Sequence, residues 1–228
     1  MANLIGLAVY AALVAIEVLW SPGYMASIRT RVAAGDPDAR RAMYRFSIVF
    51  SWVAAAIAVA IIGIDQVIRL PIVELGDHAG FFVGGGIGVL VGGAITYARS
   101  QRGQATIGDI DVLVPRTTSE RRWFAGVAVT AGIAEEIAYR ALPIVVLGAL
   151  LPSVSPWWFV AISSIVFGLA HLYQGIAGVI AVAVLGGAFG AIYVATGSLV
   201  IGMVLHVLVD LRMLLIRATD ARPAPARS

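Results

Sequence analysis

Residues 157–216 read WWFVAISSIVFGLAHLYQGIAGVIAVAVLGGAFGAIYVATGSLVIGMVLHVLVDLRMLLI, with Asp210 and Arg212 as the only charged side chains and His171 and His206 as the only imidazoles. A membrane-spanning helix needs about 20 mostly apolar residues at about 1.5 Å each. The stretch therefore divides into three predicted spans, 157–173, 176–195 and 198–216. Working outward, the same criterion predicts spans at 3–20, 46–64, 81–98 and 123–150. The fold class is all-α, a polytopic membrane helix bundle of about seven transmembrane helices. Composition agrees: 60% of the 228 residues are hydrophobic, 13% are charged, and the mean hydropathy is +0.93. Soluble domains are about 45–50% apolar, so a water-soluble globule is excluded. Cys is absent, which removes disulfides, thiolate zinc sites and thiol nucleophiles.

The charges that remain set an orientation. Arg29, Arg31, Arg40, Arg41 and Arg45 fall in a predicted loop from Ser21 to Arg45, around a turn signal at Gly35-Asp36-Pro37-Asp38. Another Arg group, Arg99, Arg102, Arg116, Arg121 and Arg122, precedes the fourth span, whereas the connection from Asp65 to Gly80 has one Arg and three acidic residues. By the positive-inside rule the N-terminus is outside and the tail, with Arg217, Arg222 and Arg227, is cytoplasmic. The first apolar run has no basic n-region and reads as a retained span. The Arg clusters suit lipid headgroups, and no nucleic-acid partner is expected. Three regions follow: N-terminal helices and loops over 1–119, a core over 120–217, and a disordered tail over 218–228.

Local signals place the ends and contacts of helices. Thr117 and Glu120 have the spacing of a capping box, so the fourth helix begins near Arg121, and Pro143 is a kink site within it. Gly84, Gly88 and Gly92, and again Gly186 and Gly190, are small residues four apart that let neighbouring helices approach closely. The Gly-rich third span fails the dinucleotide fingerprint, since Val91 stands where a third small residue is required. The Trp residues, among them Trp157 and Trp158, read as interfacial anchors. Glu17 reads as snorkelling from the cytoplasmic end of the first span, and His78 as a solvated loop residue. Tyr139 and Tyr173 border the polar residues considered next.

An ionisable side chain near the centre of a spanning helix opposes insertion by about 2.5–3.5 kcal/mol. Here such residues cluster: Glu135, Glu136 and Arg140, then His171, then His206 and Asp210. Glu136 and Arg140 are four apart and form an intrahelical pair, and Glu135 faces elsewhere, without a partner in its own helix. A carboxylate in low dielectric suits general-base work on water. Phe167 and His171 are also four apart, so ring and imidazole pack together. The same spacing lets Asp210 orient His206. Two His and one Glu form a known zinc set with an open position for water, so Glu135, His171 and His206 are the ligands if a divalent metal is bound. Without metal, Glu135 and His171 activate water, and His206 with Asp210 stabilises the oxyanion. Both versions predict hydrolysis.

The ordered motifs Glu135-Glu136-x-x-x-Arg140, Phe167-x-x-x-His171 and His206-x-x-x-Asp210 resemble the CPBP family of intramembrane proteases, also called the Abi or CAAX protease family, which includes the type II CAAX prenyl endopeptidases. The resemblance spans roughly residues 120–216. It implies a membrane-embedded endopeptidase that cleaves a protein or peptide near the cytoplasmic face, in contact with membrane lipid. Glu135 matches the essential Glu, His171 and His206 the two essential His, and Asp210 a position held by Asn or Asp, with Glu136, Arg140 and Phe167 supporting. Prenyl endopeptidases carry Asn at the last position, and an ionised Asp there accepts hydrogen bonds without donating. Family members commonly have eight spans. The all-Arg, Ala-rich composition points to a bacterial inner membrane. His-Glu-x-x-His, Gly-x-Ser-Gly and Gly-x-Gly-Asp signatures of other intramembrane proteases are absent. The competing readings are an ion- or proton-coupled transporter and a non-catalytic immunity or scaffold protein.

Overall fold

The computed structural model describes residues 2–67, 75–102 and 110–216, and among them every regular element is helical. The first helix, α1, runs from Ala2 to Ala33, and α2 from Ala39 to Ile62. The predicted loop from Ser21 to Arg45 therefore shrinks to a turn at 34–38. Gly35 takes φ +80°, the left-handed conformation that favours glycine. Asp36 accepts hydrogen bonds from the Asp38 amide at 2.9 Å and from the Arg31 Nε at 2.9 Å, which closes the turn. The sequence reading ended the first span at Trp20, and the helix continues beyond it. Pro22 is tolerated inside the helix, as happens in membrane helices where neighbours compensate the lost donor. At 32 residues and about 1.5 Å per residue, α1 exceeds a ~30 Å hydrocarbon core, so its Arg-bearing end reaches past the lipid tails.

Helix α3 covers Leu75–Gln101. It starts inside the predicted outer connection, so His78 stands on helical backbone, not in a loop. Arg69, the residues 103–109 and the tail expected to be disordered lie outside the described residues. A short 3₁₀ turn at Asp111–Leu113 leads to α4, Thr118–Glu136. Its capping box is the expected one: Thr117 Oγ1 accepts from the Glu120 amide at 3.2 Å, and Glu120 Oε2 accepts from the amides of Thr117 at 3.1 Å and Arg116 at 2.6 Å. These are the orphan N–H groups of a helix start. The cap begins the helix at Thr118, one turn before Arg121.

The chain continues through a π-helical turn at Ile137–Ala141 into α5, Leu142–Leu150. Pro143 explains the irregularity. Its ring nitrogen has no hydrogen to give the carbonyl four residues earlier, that of Tyr139, and the Ser163 hydroxyl donates to that carbonyl instead. The kink is thus a local π turn with its freed acceptor satisfied from the next helix. That helix, α6, spans Pro156–Ala170 and ends at His171; a 3₁₀ turn, Leu172–Gln174, precedes α7, Gly175–Thr196. Gly197, at φ +69°, caps α7 in the left-handed conformation. Helix α8, Val200–Leu211, tightens into a 3₁₀ turn at Arg212–Leu215.

Three helical stretches among the described residues are long and apolar enough to cross a membrane, Leu4–Ala33, Ala39–Ile62 and Leu172–Thr196, with Pro156–Ala170 a shorter apolar helix. The chain is a multi-pass helical membrane bundle. Helix α4 packs on both α2 and α8, and α6 packs on α7. Close approach at the α4–α8 crossing depends on Gly132: a Cβ there would lie 2.4 Å from Val207 Cγ2 and 2.7 Å from the Val207 amide nitrogen. The sequence reading missed this glycine and assigned the contact face of α3 to Gly84, Gly88 and Gly92. Gly84 and Gly88 face open space, and it is Gly85 that meets Leu205 of α8. Gly190 approaches Val160 of α6 as expected.

Candidate active site

Two irregular features set the site. The α4–π–α5 rod carries Glu135, Glu136 and Arg140, and His171 sits just past the last turn of α6. Helix α8 brings His206 against the rod where Gly132 and Gly202 leave room. A Cβ on Gly202 would be 3.3 Å from Glu136 Oε2, so the missing side chain makes space for a carboxylate.

Glu136 and Arg140 form the expected pair, Nε to Oε2 at 3.4 Å, with both side chains about 1% exposed. Glu136 does more than neutralise Arg140. Its Oε1 lies 2.9 Å from His206 Nδ1. Asp210, the carboxylate that spacing paired with His206, is 3.8 Å from Nε2, beyond hydrogen-bond length. The i, i+4 rule named a neighbour on the same helix; packing supplies a closer carboxylate from another. The Arg140 guanidinium has no hydrogen-bond partner and lies 4.0 Å from the Phe167 ring centroid and 5.8 Å from that of Phe189. Ring faces attract a desolvated cation, and Gly186 leaves space for it, since a Cβ there would meet Arg140 Nη2 at 3.2 Å.

His206 is therefore held from one side. Phe189 stacks on it at 5.3 Å with the planes 27° apart. With Nδ1 on Glu136, Nε2 points to two further carboxylates, Glu135 Oε2 at 3.9 Å and Asp210 Oδ2 at 3.8 Å. His171 is fixed separately. Its Nδ1 lies 2.9 Å from the Phe167 carbonyl oxygen, and a carbonyl only accepts, so Nδ1 carries the hydrogen and Nε2 is left free. The Phe167 ring packs edge-on to His171 at 4.7 Å, as the spacing predicted, and lies 6.2 Å from His206.

These side chains share one space. A cavity of about 190 Å³ is lined by Glu135, His171, His206 and Asp210, with Phe167 and Phe189 in its wall. A smaller cavity of about 120 Å³ shares Glu135, His171 and Tyr173 with it and extends toward α1. The larger cavity also reaches Tyr173, Gln174 and Arg212. That end of the bundle is tied by arginines: Arg29 Nη2 donates to the Tyr173 carbonyl at 2.8 Å, Arg40 Nε to the Val112 carbonyl at 3.1 Å, and Arg121 Nη2 to the Leu214 carbonyl at 2.6 Å. No group of three His, Asp or Glu side chains among the described residues is arranged to hold a metal ion.

Sequence reading missed several lining residues. Ser47 and Ser51 of α2 line both cavities, and their i, i+4 spacing in an apolar helix was a usable signal. Glu17 was assigned to the interface because α1 was ended too early. It accepts a hydrogen bond from the Tyr139 hydroxyl and lines the smaller cavity. Tyr173 lines both cavities, and Tyr139 is turned to Glu17.

Comparison with known proteins bears on the same segment. Residues 118–212, from the first turn of α4 to just past the end of α8, match the family model described as type II CAAX prenyl endopeptidase Rce1-like. No curated protein and no solved structure matches the chain. The matched segment holds Glu135, His171, His206 and Asp210 together, in the order the motifs predicted. Over residues 118–212 the chain is therefore similar to the Rce1-like type II CAAX prenyl endopeptidases, which is consistent with the resemblance to the CPBP family that the motifs carry.

Proposed function

We propose that the protein is an intramembrane endopeptidase that hydrolyses a peptide bond with water activated by Glu135. The observation that carries this is the meeting of Glu135, His171, His206 and Asp210 on one cavity inside a helical bundle. Glu135 is the general base: it takes a proton from water as the water oxygen bonds to the substrate carbonyl carbon and that C=O becomes an oxyanion. His206, in its imidazolium form, donates from Nε2 to the oxyanion, with Glu136 holding Nδ1. The free Nε2 of His171 accepts a hydrogen bond from the attacking water. Glu135 then returns its proton to the departing amide nitrogen as the C–N bond breaks, which leaves a new carboxylate and a new amine. Asp210 faces the same His206 nitrogen at 3.8 Å, as a second carboxylate beside the imidazolium.

The site's position supports cleavage near a cytoplasmic face. Arg29, Arg40 and Arg121 gather at the end of the bundle that the larger cavity reaches, and Arg-rich ends lie on the cytoplasmic side. On this reading the N-terminus is outside and the C-terminus inside, and the cell membrane is the bacterial inner membrane. The test is purified protein in proteoliposomes incubated with a mixed peptide pool. New peptide termini should appear, detected by mass spectrometry. Ion or proton flux without peptide products would support the transporter reading instead, and cellular function that survives replacement of both Glu135 and His206 would support a scaffold.

A further inference from the structure

We propose that the smaller cavity is a specificity pocket for a basic side chain, Lys or Arg, of the peptide substrate, with Glu17 as its anionic determinant. The proposal rests on the hydrolytic reading above and names the class of peptide that site would take.

The pocket has a wall of aromatic rings with a carboxylate beside it. Trp20 and Tyr24 are four apart on α1, Phe46 and Phe50 four apart on α2, so each pair makes a stripe on one helix face. The stripes meet: Trp20 stacks on Tyr24 at 4.5 Å, Tyr24 lies 5.0 Å from Phe46, and Phe46 lies 5.8 Å from Phe50. All four rings line the cavity. Glu17, one turn before Trp20, lines it too, and its hydrogen bond from the Tyr139 hydroxyl is to a neutral donor that brings no compensating charge. Among the described residues lining this cavity there is no Arg, and the chain contains no Lys. Ser21 adds a separate observation. Its Oγ is buried without a hydrogen-bond partner and its residue lines the same cavity.

One kind of occupant satisfies all of these groups. Ring faces attract a cation, Glu17 pairs with it, and Ser21 Oγ accepts an N–H. A neutral apolar side chain would leave the Glu17 charge uncompensated and the Ser21 hydroxyl without a partner, which is the situation in which a site discriminates most strongly. An acidic side chain would meet Glu17 and Glu135 as like charges. The occupant is a substrate side chain because the cavity continues to Glu135 and His171, which it shares with the larger one. A peptide with its scissile bond at Glu135 can place a neighbouring side chain there.

The experiment uses the full chain in proteoliposomes and pairs of fluorescent peptides that differ only in Lys against norleucine, placed in turn at each position flanking the cleaved bond. At one position Lys should raise kcat/KM on the order of tenfold, mainly through KM. In Glu17→Gln the ratio of Lys to norleucine peptides should fall toward one, and in Phe46→Leu, which keeps the charge, it should fall several-fold. A chain with no position that prefers Lys, or a preference that Glu17→Gln leaves intact, overturns the pocket. Absence of any cleavage would refute hydrolysis but not the pocket, which is then judged by binding of the same peptides. Tighter binding of the Lys peptide by about tenfold supports it, and equal binding overturns it.

Discussion

Gly132→Ala adds one methyl group at the point where α4 crosses α8. The new Cβ would sit 2.4 Å from Val207 Cγ2, 2.7 Å from the Val207 amide nitrogen and 3.1 Å from the Met203 carbonyl oxygen. A rotamer change can relieve the first contact, but the other two are backbone, so the helices themselves must move. Restoring the nitrogen contact from 2.7 Å to about 3.4 Å takes about 0.7 Å of separation. Applied to the 2.9 Å hydrogen bond between Glu136 and His206, that shift gives about 3.6 Å, past the useful range. Overpacking costs about 1–3 kcal/mol and loss of a hydrogen bond to a charged group about 1.5–3 kcal/mol. The variant should therefore lose roughly 2.5–6 kcal/mol of stability and most of its turnover. Thermal unfolding in detergent, followed by tryptophan fluorescence, reads the first, and kcat reads the second. Gly84→Ala, which meets nothing within 4 Å, is the control and should stay close to wild type in both. A Gly132→Ala protein with wild-type melting temperature and kcat would refute the crossing as the device that assembles the site.

Arg140→Met removes the cation from a buried pair and should cost about 3–5 kcal/mol. Most of this should return when Glu136→Gln is added, so a double-mutant cycle in unfolding free energy checks the coupling. Glu136→Gln alone should lower kcat by about 10²-fold with little change in KM, since the residue holds His206 rather than substrate; a pure KM effect would contradict the assignment. Asp36, in the exposed α1–α2 turn, has its carboxyl held below the usual carboxylate range by the Asp38 amide, then by the Arg31 hydrogen bond. A depressed folded-state pKa contributes stability above the unfolded value and loses it as pH falls through the folded value. An NMR titration should give a midpoint below that of a free Asp, and an ordinary midpoint in the intact protein would contradict the turn geometry.

Much of this architecture was legible because lipid imposes a simple code. Apolar runs of near-span length located most helices, and the capping box at Thr117 and Glu120 located the start of α4 to within a turn. The polar residues of the site were legible for the same reason, since charges in apolar helices stand out. What spacing could not give was partnership between helices. His206 Nδ1 donates its hydrogen bond to Glu136, seventy positions away, whereas local periodicity offered only Asp210. Gly132 was invisible as a contact because a glycine's importance depends on what crosses it. Glu17 was placed at the interface because the first span was ended at residue 20, whereas α1 runs on to Ala33. The Rce1-like match covers residues 118–212 and leaves α1 and α2 outside it, although both line the smaller cavity.

The most direct test of the central claim is single-turnover cleavage of a peptide in H₂¹⁸O by wild-type protein and by Glu135→Gln. The account predicts one ¹⁸O atom in the new carboxylate with the wild type. It predicts at least a 10²-fold slower reaction with the Gln variant, although that variant stays inserted and folded. Cleavage by Glu135→Gln at the wild-type rate would contradict it.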